Sequence, residues 1–230
     1  MKTLLKIFGS AFAIGFSGAV APGPLLVVCV HQALAAGFGA SMLAVLGHAL
    51  AELVLVILML VGLARYLKAR PRAFRVVKII AGIVLLGMGA MMLLSVPSAR
   101  FAVSSSGQPD VGSKAIPLLM GAAVSVGNPY FILWWATVGL GLLSHAARSG
   151  RVAVPVFYVG HILSDFAWFA FIAASFVLGR HTILGETSYR VLLGVSGVFM
   201  IAFGAYFVLA QDKQNPAKKH ECVDDEGASI

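Results

Sequence analysis

Gly47-His48-Ala49-Leu50-Ala51-Glu52 and Gly160-His161-Ile162-Leu163-Ser164-Asp165 are two copies of one phrase, Gly-His-x-x-x-acid, each set inside a long apolar run. Glu52 and Asp165 are the only acids so placed. Asp110, Glu186, Asp212, Glu221, Asp224, Asp225 and Glu226 all fall in connections or in the C-terminal tail. The copies extend outward in the same order. Ala21-Pro22-Gly23-Pro24 is echoed by Val126-Gly127-Asn128-Pro129, and Gly82 with Gly89-Ala90 is echoed by Gly197 with Gly204-Ala205. A chain that repeats its only deeply placed carboxylates points to a symmetric site.

The surroundings of the phrase decide the solvent. With 230 residues, 60% hydrophobic and 11% charged, the chain carries more apolar surface than one soluble core buries. Apolar runs at 4–30, 41–67, 76–96, 115–143, 152–178 and 191–210 each reach the roughly 20 residues a helix needs to cross hydrocarbon. They lack the period-2 alternation of an outer-membrane strand. The expected fold is an all-α integral membrane bundle of six transmembrane helices.

The polar stretch 98–114, with Ser104-Ser105-Ser106-Gly107 and Pro109-Asp110, divides the chain into three-helix repeats over 1–97 and 115–210. Two homologous halves with an odd number of crossings enter the membrane from opposite sides, so the repeats are expected to be inverted. The tail 211–230 is polar and too poor in apolar residues to fold alone, and it is expected to be disordered in the cytoplasm. The first apolar run, with Lys2 and Lys6 before it and Ala19-Val20-Ala21 near its middle, imitates a secretory signal. Pro22 just after the cut and the continuation through Val30 favour an uncleaved first helix.

The net charge of +8 would suit nucleic acid, but its placement points to a membrane. Thirteen of the 17 Lys and Arg residues fall on one side: Lys2 and Lys6, six from Arg65 to Lys78, Arg148 and Arg151, and Lys213, Lys218 and Lys219. Arg100, Lys114, Arg180 and Arg190 fall on the other. The positive-inside rule then puts both termini in the cytoplasm and the 98–114 linker in the periplasm. Cys29 and Cys222 offer no disulfide framework.

The repeated phrases carry the chemistry. Pro22 and Pro24 lack amide hydrogens and clash with the carbonyls of Gly18 and Val20, and Pro129 does the same to Ser125, while Gly23, Gly127 and Asn128 loosen the same turns. The first and fourth helices are therefore expected to break. A half-helix N-terminus suits a carboxylate and freed carbonyls suit a cation, so an amino-acid zwitterion would satisfy both. Membrane helices also tolerate proline when neighbours satisfy the freed groups. The matched acids mark a proton or cation pathway; the plainer alternative is that each acid pairs with the His four residues back on its own helix. His48, Glu52, His161 and Asp165 together would also make a divalent-metal site, against the ordinary role of imidazole as a hydrogen-bonding partner. Trp134 and Trp135 follow Pro129 closely enough to line a cavity, or they anchor at the interface. The glycines of the third and sixth helices read as packing surfaces.

With Ala19-Val20-Ala21-Pro22-Gly23-Pro24 near the start, Gly47 to Glu52 in the second helix and Gly127-Asn128-Pro129 opening the second repeat, the chain resembles the LysE/RhtB family of amino-acid exporters over about residues 10 to 210. The resemblance implies proton-driven export of an amino acid or related small metabolite across the bacterial inner membrane. It carries the family's broken-helix elements onto Pro22, Gly23, Pro24, Asn128 and Pro129, which with Gly127 and Trp134 are the substrate-binding candidates; the repeated placement of His48, Glu52, His161 and Asp165 in apolar spans makes those four the coupling candidates. Many members carry Asn-Pro-Lys where this chain has Asn128-Pro129-Tyr130, which implies a different substrate. A related architecture serving thiol-electron carriers needs a cysteine in each half; the position matching Cys29 is Trp134, which argues against that chemistry. No phosphate-binding loop for ATP is present, no enzyme motif competes and no cofactor is expected. The partners expected are a small-molecule substrate, protons and the lipid bilayer. Nucleic acid is not expected, and homo-oligomerisation is left open.

Overall fold

A computed structural model describes residues 1–62, 71–97, 114–179 and 183–209; the described residues are helical, with no strand among them. The helices are α1 (Lys2–Ala19), α2 (Pro24–Ala36), α3 (Phe38–Leu60), α4 (Pro71–Ser95), α5 (Ala115–Val126), α6 (Pro129–Trp134), α7 (Leu140–Arg148), α8 (Ala153–Gly179) and α9 (Ile183–Leu209), with a π-helical stretch at Trp135–Gly139 joining α6 to α7. Residues 98–113 of the expected linker and the tail 211–230 lie outside the described residues.

Both expected breaks are present, and each follows from its prolines. α1 ends at Ala19, where the amides of Val20 and Ala21 turn back onto the carbonyls of Phe16 and Gly18 at 2.9 and 3.3 Å. Pro22 has no amide to continue the ladder, Gly23 is extended (φ −151°, ψ −174°), and Pro24 restarts the chain as the first residue of α2, where its missing amide costs nothing. The two helices meet at 85°. In the second half, the amides of Gly127 and Asn128 close α5 on the carbonyls of Ala123 and Ser125 at 2.9 and 3.1 Å; Asn128 is then extended and Pro129 opens α6.

Among the described residues four helical stretches are long and apolar enough to span a membrane, namely Phe38–Leu60, Pro129–Arg148, Ala153–Gly179 and Thr187–Leu209, and the bent pair α1–α2 supplies a fifth candidate. The sequence reading expected six. The third run falls short because its apolar part is only Ile79–Ser95, and the fourth run is split by its break into a short α5 and the 20 residues Pro129–Arg148. Val54, Ile57 and Leu60 on α3, Ile80, Ile83 and Met91 on α4, and Val191, Val195 and Val198 on α9 are exposed. Large apolar faces turned outward suit hydrocarbon rather than water.

Inside, glycines set the spacing, because helices in lipid associate through close packing of small residues. A Cβ at Gly47 of α3 would run into the carbonyl oxygen of Leu118 on α5, and one at Gly121 of α5 into that of Ala44 on α3. The matched glycine of the second half behaves alike: a Cβ at Gly160 of α8 would lie 2.7 Å from the Phe8 carbonyl oxygen on α1. Thus the helix bearing each Gly-His-x-x-x-acid phrase packs on the half-helix of the other half. α4 and α9 meet through Gly82 against Gly204 and Gly89 against Gly197, where an added Cβ would sit 2.7 to 2.9 Å from the opposing carbonyl oxygen. The Tyr158 hydroxyl donates to the Ala49 carbonyl at 2.6 Å and ties α8 to α3.

Candidate functional site

The i, i+4 spacing puts His48 beside Glu52 on α3 and His161 beside Asp165 on α8, and the α3–α8 contact brings the two pairs together. All four side chains are buried; Glu52 is 2% exposed and Asp165 3%. The two acids are not treated alike. Oε1 of Glu52 accepts the indole N–H of Trp135 at 2.9 Å and lies 3.2 Å from His161 Nε2 and 3.3 Å from His48 Nε2. Asp165 keeps only His161 Nε2 at 3.7 Å, beyond hydrogen-bond length, and its Oδ2 is buried with no hydrogen-bond partner among the described residues. His161 therefore turns from the acid of its own helix to the acid of the other repeat.

The imidazoles can be assigned from their partners. Ser125 Oγ donates to the Gly121 carbonyl at 2.6 Å, so at 2.7 Å from His48 Nδ1 it acts as acceptor, and Nδ1 carries hydrogen. His48 then closes its contact with Glu52 only when Nε2 is protonated as well. His161 faces Glu52 through Nε2, while its Nδ1 is buried without a partner against Gly15, where a Cβ would sit 2.8 Å away. Its hydrogen belongs on Nε2.

Of these partners Ser125 was not among the sequence candidates, and Trp135 was one only as a cavity-lining residue beside Trp134, not as a donor to Glu52. Trp135 reaches Glu52 because the π-helical stretch turns Trp134 and Trp135 inward together, with ring centroids 5.5 Å apart. A widened turn of this kind commonly accompanies a functional site. Thr137 Oγ1 donates to the Leu133 and Trp134 carbonyls there, and Gly139 leaves the space in which the Trp135 ring lies. Ser125 sits in the last turn of α5, directly before the break. A lone serine amid Ala122-Ala123-Val124 and a second tryptophan beside the first were the available signals.

The cluster forms one wall of a cavity of about 530 Å³, counting its open mouth. Gly23, Asn128 and Trp134 line it with the four His and acid residues; Pro22, Pro24, Gly127 and Pro129 shape the breaks without lining the wall. Phe131, Phe169, Leu25 and Leu26 make much of the rest apolar. Trp134 stacks on His161, with centroids 4.9 Å apart and planes 23° apart, and donates through Nε1 to Ser17 Oγ at 3.3 Å. The two helix N-termini at the cavity differ. Asn128 Oδ1 accepts from the Tyr130 amide at 3.1 Å and caps α6, whereas Gly23 has no side chain to cap α2. For a metal, His48, Glu52 and Asp165 offer donor atoms within 4.8 Å of one another; His161 is not in that set.

The buried polar cluster thus faces a cavity between broken helices and is not part of a purely apolar core. The family model for LysE type translocators matches residues 16–211. The chain belongs to the LysE translocator family. It is 29% identical over 204 residues to the chemotactic transduction protein ChpE of Pseudomonas aeruginosa, covering 85% of this chain and 98% of that one. It is 26% identical to the putative amino acid efflux protein YcgF of Bacillus subtilis, over 88% and 95% of the two chains. It is 25% identical to the leucine efflux protein of Klebsiella pneumoniae, over 76% and 79%. No solved structure matches the chain. Membership of this family makes the protein a multi-pass bacterial membrane transporter, not an enzyme.

Proposed function

We propose that this translocator exports an amino acid, or a closely related small solute, from the cytoplasm across the inner membrane as a proton-coupled antiporter. The carrying observation is that both broken helices and both His and acid pairs face one cavity. The uncapped N-terminus of α2 at Gly23, with Asn128 across from it, presents the Leu25 amide and positive dipole character to a substrate carboxylate, the Leu26 and Val27 amides being taken by the Gly23 carbonyl. The His48–Glu52 pair holds a proton when it is closed, and opening it releases one. Relatives named for amino acid and leucine efflux support the substrate class; nothing in their names favours a divalent cation.

The exchange of partners between the halves, α3 on α5 and α8 on α1, supports two inverted three-helix repeats that bring matched residues to the same depth. Six crossings with both termini in the cytoplasm follow. Reporter fusions at the C-terminus test this topology: a cytoplasm-active reporter is expected, and a periplasm-active one breaks it. Cells loaded with single neutral amino acids should export at least one of them faster with the protein than without it, and an uncoupler should abolish the difference. Equal rates across the whole set would overturn the exporter reading.

A further inference from the structure

We propose that Asp165 is the seat of the substrate's protonated amino group, with Glu52 serving as the fixed counter-charge that holds the two histidines. This inference rests on the exporter reading and assigns the part of the substrate that each acid meets. It begins with the inequality of the two buried carboxylates. Removing a carboxylate from water costs several kcal/mol unless donors replace the lost water. Oε1 of Glu52 accepts two hydrogen bonds, from Trp135 and His161, and has His48 Nε2 in ion-pair contact at 3.3 Å, while its Oε2 has no partner among the described residues. Asp165 has none within hydrogen-bond distance among the described residues.

The neighbouring donors are already committed. His161 Nε2 and Trp135 Nε1 point to Glu52, and His48 Nδ1 points to Ser125. The other facing groups are Glu52 and His48 on α3 and His161 on the same helix; the residues of α1 and α2 that line the cavity, such as Gly18, Ala19 and Leu25, do not titrate. Apart from the indole N–H of Trp168 on the same helix, which is buried without a partner among the described residues, the cavity is the remaining source of a compensating hydrogen.

Protonation of the donors, more than their spacing, bears on the kind of cation. An ammonium nitrogen reaching acceptors at about 2.8 Å along tetrahedral directions sets them about 4.6 Å apart. A zinc ion with ligands at about 2.0 to 2.1 Å would set them roughly 3.4 Å apart. The donor atoms of His48, Glu52 and Asp165 lie within 4.8 Å of one another, which admits either span; what disfavours a metal is that His48, protonated on Nδ1 toward Ser125 and on Nε2 toward Glu52, has no lone pair left to coordinate one. At the breaks the carbonyls of Phe16 and Gly18 are taken by Val20 and Ala21, and those of Ala123 and Ser125 by Gly127 and Asn128. The apolar remainder of the wall, with Phe131, Phe169, Leu25 and Leu26, accommodates a neutral side chain.

The test uses the purified full chain in nanodiscs and two matched pairs of probes, L-leucine with 2-hydroxyisocaproate and L-phenylalanine with 3-phenyllactate. Each pair differs in the ammonium. The exported amino acid should bind the wild type at least fivefold more tightly than its hydroxy analogue, and Asp165→Asn should lower its affinity at least fivefold and erase the preference. Asp165→Glu should restore part of it. A preference under fivefold in the wild type overturns the assignment without needing any variant, and an undiminished affinity in a folded Asp165→Asn protein does the same. Saturable zinc binding that neither amino acid displaces also overturns it. If the wild type neither exports nor binds any neutral amino acid, the exporter reading falls and this one with it; if export persists while the preference is absent, only the Asp165 assignment falls.

Discussion

Glu52 and Asp165 stand in the same sequence phrase, on equivalent helices and in the same cavity wall, yet one accepts two hydrogen bonds from side chains and the other accepts none among the described residues. The two helix breaks diverge in the same way. The N-terminus of α6 is capped from within by Asn128, while that of α2 is open at Gly23. In each comparison one copy has more protein partners than the other, although Oε2 of Glu52, like Oδ2 of Asp165, is buried with no hydrogen-bond partner among the described residues. A repeat can thus keep its architecture symmetric while dividing structural and binding work between its halves.

The largest expected effect lies where the symmetry is still exact in packing. Gly47→Leu and Gly160→Leu each drive a side chain into the backbone of the opposing half-helix, so folded protein in membranes should fall below about a tenth of wild type. Gly87→Ala, which meets nothing within 4 Å, should leave abundance unchanged. Normal abundance of both leucine variants, measured by quantitative immunoblotting, would break the account of helix exchange.

Next comes the inequality of the acids. Glu52→Gln removes the charge that compensates two imidazoles and should cost about 3 kcal/mol, in the range for breaking a buried pair. Asp165→Asn loses no hydrogen bond and should change stability by less than about 1 kcal/mol while removing transport. Thermal unfolding of the two variants side by side decides it, and equal losses would restore the symmetric reading of the pair. Ser125→Ala leaves the N–H at Nδ1 of His48 buried without an acceptor, which should cost about 1 to 3 kcal/mol.

The smallest effect concerns the caps. Asn128→Ala should cost about 1 kcal/mol by uncapping α6. Gly23→Ser should gain a few tenths of a kcal/mol by capping α2; its extended backbone admits a side chain, and its Cβ would lie at an ordinary 3.5 Å from Asn128 Nδ2. The same change should reduce transport, since the hydroxyl takes the N–H offered to the substrate. Undiminished export by a stabilised Gly23→Ser protein would remove α2 from the binding site.

The sequence by itself determined the membrane class, the two breaks and the residues that gather at the cavity. Those properties are local: a proline lacks its amide in any context, and 60% apolar composition needs hydrocarbon whatever the packing. It also placed each histidine beside an acid, because i, i+4 neighbours share a helix face. What it left open was which acid each histidine serves. That depends on how α3 and α8 are rotated against each other, and the rotation takes His161 Nε2 to 3.2 Å from Glu52 and leaves it 3.7 Å from Asp165. The third donor to Glu52 was equally hidden, since Trp135 turns inward only through the widened turn at Trp135–Gly139. Differences of half an ångström between helices decide which carboxylate is satisfied, and only the packed tertiary structure sets distances on that scale.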